Sequence, residues 1–342
     1  MKKHKICKIL LVILAIFLCV AFYELLGICV AYKKQPEVSN TTKKETQNDS
    51  WNERSENMER AVIIEKNRAA LLQRVRLIRN AKEDIILSTF AFQSDESGKL
   101  ILGALHDAAD RGVHVRLLVD GMESWIDMEG NPYFYGLSSH ENVEIKLYNK
   151  ANPLKPWKMM GRMHDKYLIA DGKRYILGGR NTYNYFLGDF PGHKNYDRDV
   201  LVVCDEPEKE NSVNQLLEYF ETIWEQEDSG YFHDNKKLAN RKSVKNAVLE
   251  LQNGYQKYFE ENKERICDTD YTDETFETEK IALVSNPIHT GPKEPVVWYQ
   301  LGELMKNAKE RVKIHTPYII CNDMMYNTWK EIAERVPDFS IM

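Results

Sequence analysis

The run from Ile9 to Tyr32 contains no Lys, Arg or Asp and a single Glu, Glu24. A run of that length is too long for one buried strand, and it is predicted to be an apolar helix. At ~1.5 Å per residue it spans about 36 Å, more than the ~30 Å hydrocarbon core of a bilayer. We read residues 9–32 as one transmembrane anchor. Glu24 lies in its last third, from which a carboxylate reaches the interface. A cleaved signal peptide is the alternative. The length of the run, and the lack of a clean small-x-small site after it, favour an uncleaved anchor. Residues 1–8 carry Lys2, Lys3, Lys5 and Lys8. This basic start favours a single pass through a cell membrane, with the globular part on the extracytoplasmic side. Lys33 and Lys34 on the other flank weaken that bias. Residues 33–60 are polar and read as a tether.

From about residue 61 helical and strand patterns alternate. Arg68 to Asn80 places Leu71, Leu72, Val75 and Ile78 on one helix face. Asp84 to Phe92 reads as a strand, Lys99 to Arg111 as a helix closed by Gly112, and Val113 to Val119 as the next strand. Asn142 to Tyr148 is another strand, and Ser212 to about Gln226 another helix. Such alternation predicts an α/β fold with a mixed sheet flanked by helices. Residues 228–278 break the pattern. They hold the cations Lys236, Lys237, Arg241, Lys242 and Lys245 and a helix from Val244 to Lys263, and read as a charged inter-lobe segment.

The chemistry concentrates between residues 164 and 181. His164 and Lys166 are two positions apart, the spacing of one strand face. Lys166 to Ala170 is β-favouring, Asp171-Gly172 is a turn signal, and Tyr175 to Leu177 runs into Gly178-Gly179. An imidazole, a cation and glycine-flanked backbone on one point suit a phosphate. The full spacing, H-x-K-x4-D-x6-G-G-x-N, resembles the signature of the phospholipase D superfamily, and most of all its cardiolipin synthase or phosphatidyltransferase-type members. The resemblance implies a phospholipase D-like lobe over 61–227. It implies that His164 is a nucleophile forming a phosphohistidine, and that Lys166 holds the non-bridging phosphate oxygens. Asn181 and Gly179 would help bind that phosphate, and Asp171 would set local charge and geometry. No metal or other cofactor is implied. Downstream, Asn195-Tyr-Asp-Arg-Asp199 is similar to the acidic pair that follows this motif in cardiolipin synthases. Either Asp197 or Asp199 could fix the tautomer of a catalytic histidine, Asp199 being favoured as the buried partner. His193 could also face the site.

Asn-Ala-Lys-Glu occurs twice, at 80–83 before the strand that opens at Asp84, and at 307–310 before Val312 to Ile320. Repetition of that kind is read as internal similarity. Residues 279–342 therefore look like the start of a second phospholipase D-like lobe, with Ser285-Asn-Pro287 and His315-Thr-Pro-Tyr318 in its opening. At the same offset a second motif histidine falls beyond Met342. The expectation is a fragment, an inert truncated product, or a chain whose second motif comes from another copy. The fragment ranks first, because Val312 to Ile320 would otherwise lack sheet neighbours.

A formal net charge of −5 gives no electrostatic footprint for nucleic acid. Of six cysteines, Cys7, Cys19 and Cys29 sit in or beside the anchor, and Cys204, Cys267 and Cys321 have no metal or redox spacing. Trp157, Tyr183 and Tyr185 flank the motif, where they could line a lipid-entry groove or pack in the core. The sequence-based expectation is a membrane-anchored phosphatidyltransferase acting on a phosphatidylglycerol-like phospholipid in the bilayer. The alternatives are a phospholipase D-type phosphodiesterase or dimeric nuclease, and an inactive tethered lobe.

Overall fold

The computed structural model describes residues 2–48, 59–204, 206, 211–233, 235–316 and 318–342. Residues 49–58 of the expected tether lie outside them. In chain order the elements begin with α1 (Lys2–Ala31), α2 (Asn40–Asn48), β1 (Arg60–Ile64), α3 (Asn67–Asn80), β2 (Asp84–Thr89), α4 (Glu96–Asp110) and β3 (His114–Asp120). There follow α5 (Gly121–Asp127), α6 (Pro132–Ser138), β4 (Val143–Tyr148), β5 (Tyr167–Ala170), β6 (Arg174–Gly178), β7 (Asp199–Val203), α7 (Ser212–Trp224) and β8 (Ser229–Tyr231). The last elements are α8 (Lys242–Glu261), α9 (Lys263–Cys267), β9 (Phe276–Glu277), α10 (Val296–Lys306), β10 (Arg311–Ile314), α11 (Asp323–Arg335) and β11 (Asp338–Ile341).

Among the described residues one nine-stranded sheet runs in the order β8-β4-β3-β2-β5-β6-β7-β1-β9. The β2, β3 and β4 strands are parallel, joined by crossovers through α4 and through α5–α6, and the other pairings are antiparallel. The fold is thus mixed α/β. The sheet is covered on both faces, which is why its central strands are near-continuous apolar runs. One face packs Leu71, Ile101, Leu105, Phe134 and Leu251 against Ile85, Leu117 and Ile176. The other packs Leu216, Phe220 and Trp224 of α7, with Leu283 and Ile288, against Ile86, Leu118 and Val202.

Residues 228–278 do not stand apart from this sheet. β8 extends one edge and β9 the other. The α8 helix buries Val244, Ala247, Leu251, Tyr255 and Phe259, a 3–4 spacing that makes one apolar stripe. It lies close on α4, where a Cβ at Gly103 would meet the Leu251 carbonyl at 2.7 Å. Polar sequence also hides a folded piece in the expected tether. Glu294 accepts hydrogen bonds from the Ser39 amide at 2.8 Å and the Thr42 hydroxyl at 2.6 Å, tying the start of α2 to the chain before α10.

In the C-terminal part, β10 and β11 form a two-stranded parallel sheet, with Val312, Ile332 and Val336 buried between it and α11. The strand expected over Val312 to Ile320 ends at Ile314 and has a neighbour in β11, where the sequence suggested none. Tyr318, Ile319 and Ile320 are exposed.

Candidate functional site

The β5–β6 hairpin sets the site's geometry. Asp171 and Gly172 both adopt positive φ, 52° and 57°, and the Lys173 amide closes the turn on the Ala170 carbonyl at 3.1 Å. That is a type I′ turn, whose twist matches the strands it joins. The opposite end of β5 is where the chain arrives from Arg162, His164 and Lys166.

There the His164 ring lies 4.5 Å from the Phe90 ring, centroid to centroid. The Lys166 ammonium and Arg162 guanidinium approach the same ring, each at 5.1 Å. Lys166 is 5 % exposed and donates to the His164 carbonyl. Burial drives its pKa down to about 8, against the pull of Asp165, Asp197 and Asp120. The His164 ring remains open to solvent, yet partial desolvation, then the neighbouring Lys166 and Arg162 charges, hold its pKa below the ordinary value, with Asp120 opposing. The downward shift favours a neutral imidazole, beside the buried Lys166. Both line a cavity of about 360 Å³ with Arg162, Tyr219, Asn286 and Lys293.

Asn181 is buried, and its Oδ1 accepts from the Ala91 amide at 3.3 Å. That bond commits the oxygen to the backbone and leaves Nδ2 as the donor end, beside the Tyr183 hydroxyl. Gly178 and Gly179 have a different reason to be glycine from the one the sequence suggested. A Cβ on Gly178 would sit 2.1 Å from the Asp199 carboxylate, and one on Gly179 2.1 Å from that of Asp197. The close approach is to the incoming β7 chain.

Asp171 is not brought to this cluster. At the far end of β5 its carboxylate accepts from the amides of Lys82, Glu83 and Asp84 at 2.9–3.2 Å. Asp199 is fully buried and pairs with Arg74 at 2.8 Å and Arg180 at 3.3 Å. Its recorded partners are arginines, not His164. Asp197 stays nearer the site, against Gly179, and its Oδ1 accepts the Arg198 amide at 2.7 Å. His193 packs on Tyr185 at 5.5 Å, and Tyr183 stacks on Tyr185.

Several neighbours of the cavity had no sequence signal. Asp120, 1 % exposed, caps α5 and grips Arg162 through Nε at 2.9 Å and Nη2 at 2.6 Å. It also accepts the Met163 amide at 3.0 Å, so one carboxylate fixes the approach to His164. Asp165 accepts from Tyr219 at 2.7 Å, and burial raises its pKa. Lys293 enters from far along the chain, with its pKa lowered by burial. These links join residues far apart in sequence, and no local spacing encodes them.

The family model described as "Cardiolipin synthase, PLD-like domain" matches residues 74–224. A Helicobacter pylori protein described as uncharacterized is 28% identical over 310 residues, 82% of this chain and 58% of the relative. Cardiolipin synthase C of Escherichia coli is 29% identical over 171 residues, 46% of this chain and 34% of that protein. The crystal structure of phosphatidylserine synthase from Haemophilus influenzae superposes with a TM-score of 0.57 at 16% identity, covering 88% of this chain and 65% of that one. The chain therefore spans little more than half the length of the Helicobacter relative it matches.

Proposed function

We propose a phosphatidyltransferase, starting from the fact that the chain belongs to the phospholipase D superfamily. In this reading Nε2 or Nδ1 of neutral His164 attacks the phosphorus of a phospholipid. A nitrogen–phosphorus bond forms as the bond to the leaving alcohol breaks. Lys166 and the Asn181 amide stabilise the charge that gathers on the non-bridging oxygens. The leaving alcohol takes its proton from an acid in a second motif, carried by further sequence or by another copy. The acceptor alcohol reverses the step and frees the histidine. Water as acceptor gives hydrolysis by the same route.

The observation that carries this reading is the convergence of His164 and Lys166 on one cavity; burial and the adjacent cations push the histidine pKa down, which favours the unprotonated nucleophile. A lipid substrate is favoured over nucleic acid because α1, long and apolar enough over Ile6–Ala31 to cross a membrane, reaches the loop that leads into the site. Tyr23 donates to the Leu154 carbonyl at 3.1 Å. On these grounds we read α1 as a membrane anchor. The test uses the full chain in phosphatidylglycerol vesicles. A phosphorylated His164 peptide after acid-free quench, and loss of lipid turnover in His164→Ala, are expected. Undiminished turnover in that variant would refute the assignment.

A further inference from the structure

The half-buried residues of α1 are Ala21, Glu24, Gly27, Ile28 and Ala31, followed by half-buried Tyr32 just past its end, the spacing of one helix face. Glu24, the single charge of the apolar run, is on that face and turned away from lipid. The face rests on the loop between β4 and β5. A Cβ on Gly27 would come within 2.5 Å of Pro156 Cγ, and Tyr32 donates to the Thr290 carbonyl at 2.8 Å. The loop is therefore clamped to the helix before its first following charges, Lys33 and Lys34. At ~1.5 Å per residue Gly27 lies about 9 Å along the axis from Lys33. Interfacial helices sink about 5–10 Å into the headgroup boundary, so the loop is held at that depth.

What the loop presents there is apolar. Leu154 is 77% exposed, Trp157 46% and Met160 57%. The next strand in the sheet, β3, ends in α5, whose Gly121 backbone touches that of Lys150. α5 adds Trp125 and Ile126, 69% and 68% exposed. Between Glu144 and Asp165 the chain has lysines and Arg162 but no carboxylate residue. On this loop, exposed Trp and aliphatic side chains among cations are the composition of an interfacial surface facing anionic lipid, whereas α5 carries Glu123 and Asp127 beside Trp125 and Ile126.

We infer that Trp125, Ile126, Leu154, Trp157 and Met160 form a rim that enters the headgroup layer of an anionic bilayer. The rim holds the mouth of the His164 cavity at the surface, so that a lipid phosphodiester reaches the site without leaving the membrane. This rests on the reading of α1 as a membrane anchor and of the substrate as a lipid.

The test is tryptophan fluorescence of the full chain in nanodiscs of phosphatidylglycerol and a phosphatidylcholine brominated near the carbonyl end of one acyl chain. Buried Trp224 supplies an unquenched reference. The wild type is expected to be quenched, and the quenched component to fall by half or more in Trp125→Phe/Trp157→Phe. An unchanged quenched component in that double variant would overturn the rim. Turnover is not the readout, so His164→Ala should quench like the wild type. Absence of lipid turnover in the wild type would count against the proposed reaction and leave the rim standing. Turnover with unchanged quenching would do the reverse.

Discussion

In the proposed reaction His164 and Lys166 need opposite protonation states, and their opposite demands leave a pH window in which both hold. The imidazole attacks only when neutral, and burial with two adjacent cations keeps it neutral below its ordinary range. The ammonium clamps phosphate only when charged, and burial brings its pKa down to about 8. Bell-shaped kcat/KM against pH follows. The acid limb should lie below the ordinary histidine value, and the alkaline limb near pH 8. An arginine stays charged across that range, so residual activity in Lys166→Arg should lose the alkaline limb. A limb that stays in place would remove Lys166 from the role. The same pair makes a spectroscopic prediction. Desolvation is the larger cause of the His164 shift and Lys166 the next. In Lys166→Met the imidazole should therefore titrate higher by NMR, yet still below the ordinary value. No upward movement would contradict the placement of the two groups.

At the level of elements, the carboxylates near the motif are separated into different tasks. Asp199 opens β7 between Arg74 and Arg180, all three side chains no more than 5% exposed. Removing it leaves two buried guanidinium groups without their counter-ion, and breaking such a set costs about 3–5 kcal/mol. Asp199→Ala should show that loss in urea unfolding, and a loss under about 1 kcal/mol would mean the pairs contribute little. Asp171 braces the turn of the hairpin against the start of β2. Asp171→Ala forfeits the acceptor for three amides and puts alanine at positive φ, a cost of about 1–3 kcal/mol. Asp171→Asn, which tolerates that φ, should recover much of it. Turnover per folded molecule should stay near wild type in Asp171→Asn, and a collapse of kcat there would give Asp171 a chemical part. These outcomes bear on what a sequence can tell. The hairpin was legible because its β-favouring runs, Asp-Gly and the spacing of His164 and Lys166 are local. The main strands and α3, α4, α7 and α8 were legible from period. The clamp of Asp120 on Arg162, the entry of Lys293 and the true neighbours of Gly178 and Gly179 were not, because each is made by chain arriving from a distant position. Docked α2 was missed for a related reason: its contacts are polar and leave no hydrophobic period to read.

On the scale of the whole molecule, the end of α1 meets both stretches of chain that run into the cavity. One is the loop through Leu154 and Pro156, which leads to Arg162 and His164, and the other is the stretch from Ile288 to Lys293, whose two ends line the cavity, reached through Tyr32 and Thr290. The two stretches also approach each other closely, since a Cβ on Gly161 would lie 2.5 Å from Thr290 Cα. An anchor that only raised the local concentration of enzyme at a membrane would need no such fit. Gly27 isolates the difference. Its Cβ position is filled by the rigid ring of Pro156, so Gly27→Leu must push the helix from the loop while leaving the apolar run long enough to span. Reconstituted protein should keep its membrane insertion and its activity on a short-chain, soluble phosphodiester. Turnover of lipid in the bilayer should fall by about tenfold, a loss of roughly 1.4 kcal/mol of transition-state stabilisation. An equal fall on both substrates would mean that the helix supports the fold of the site. Unchanged turnover on both would reduce the helix to a tether.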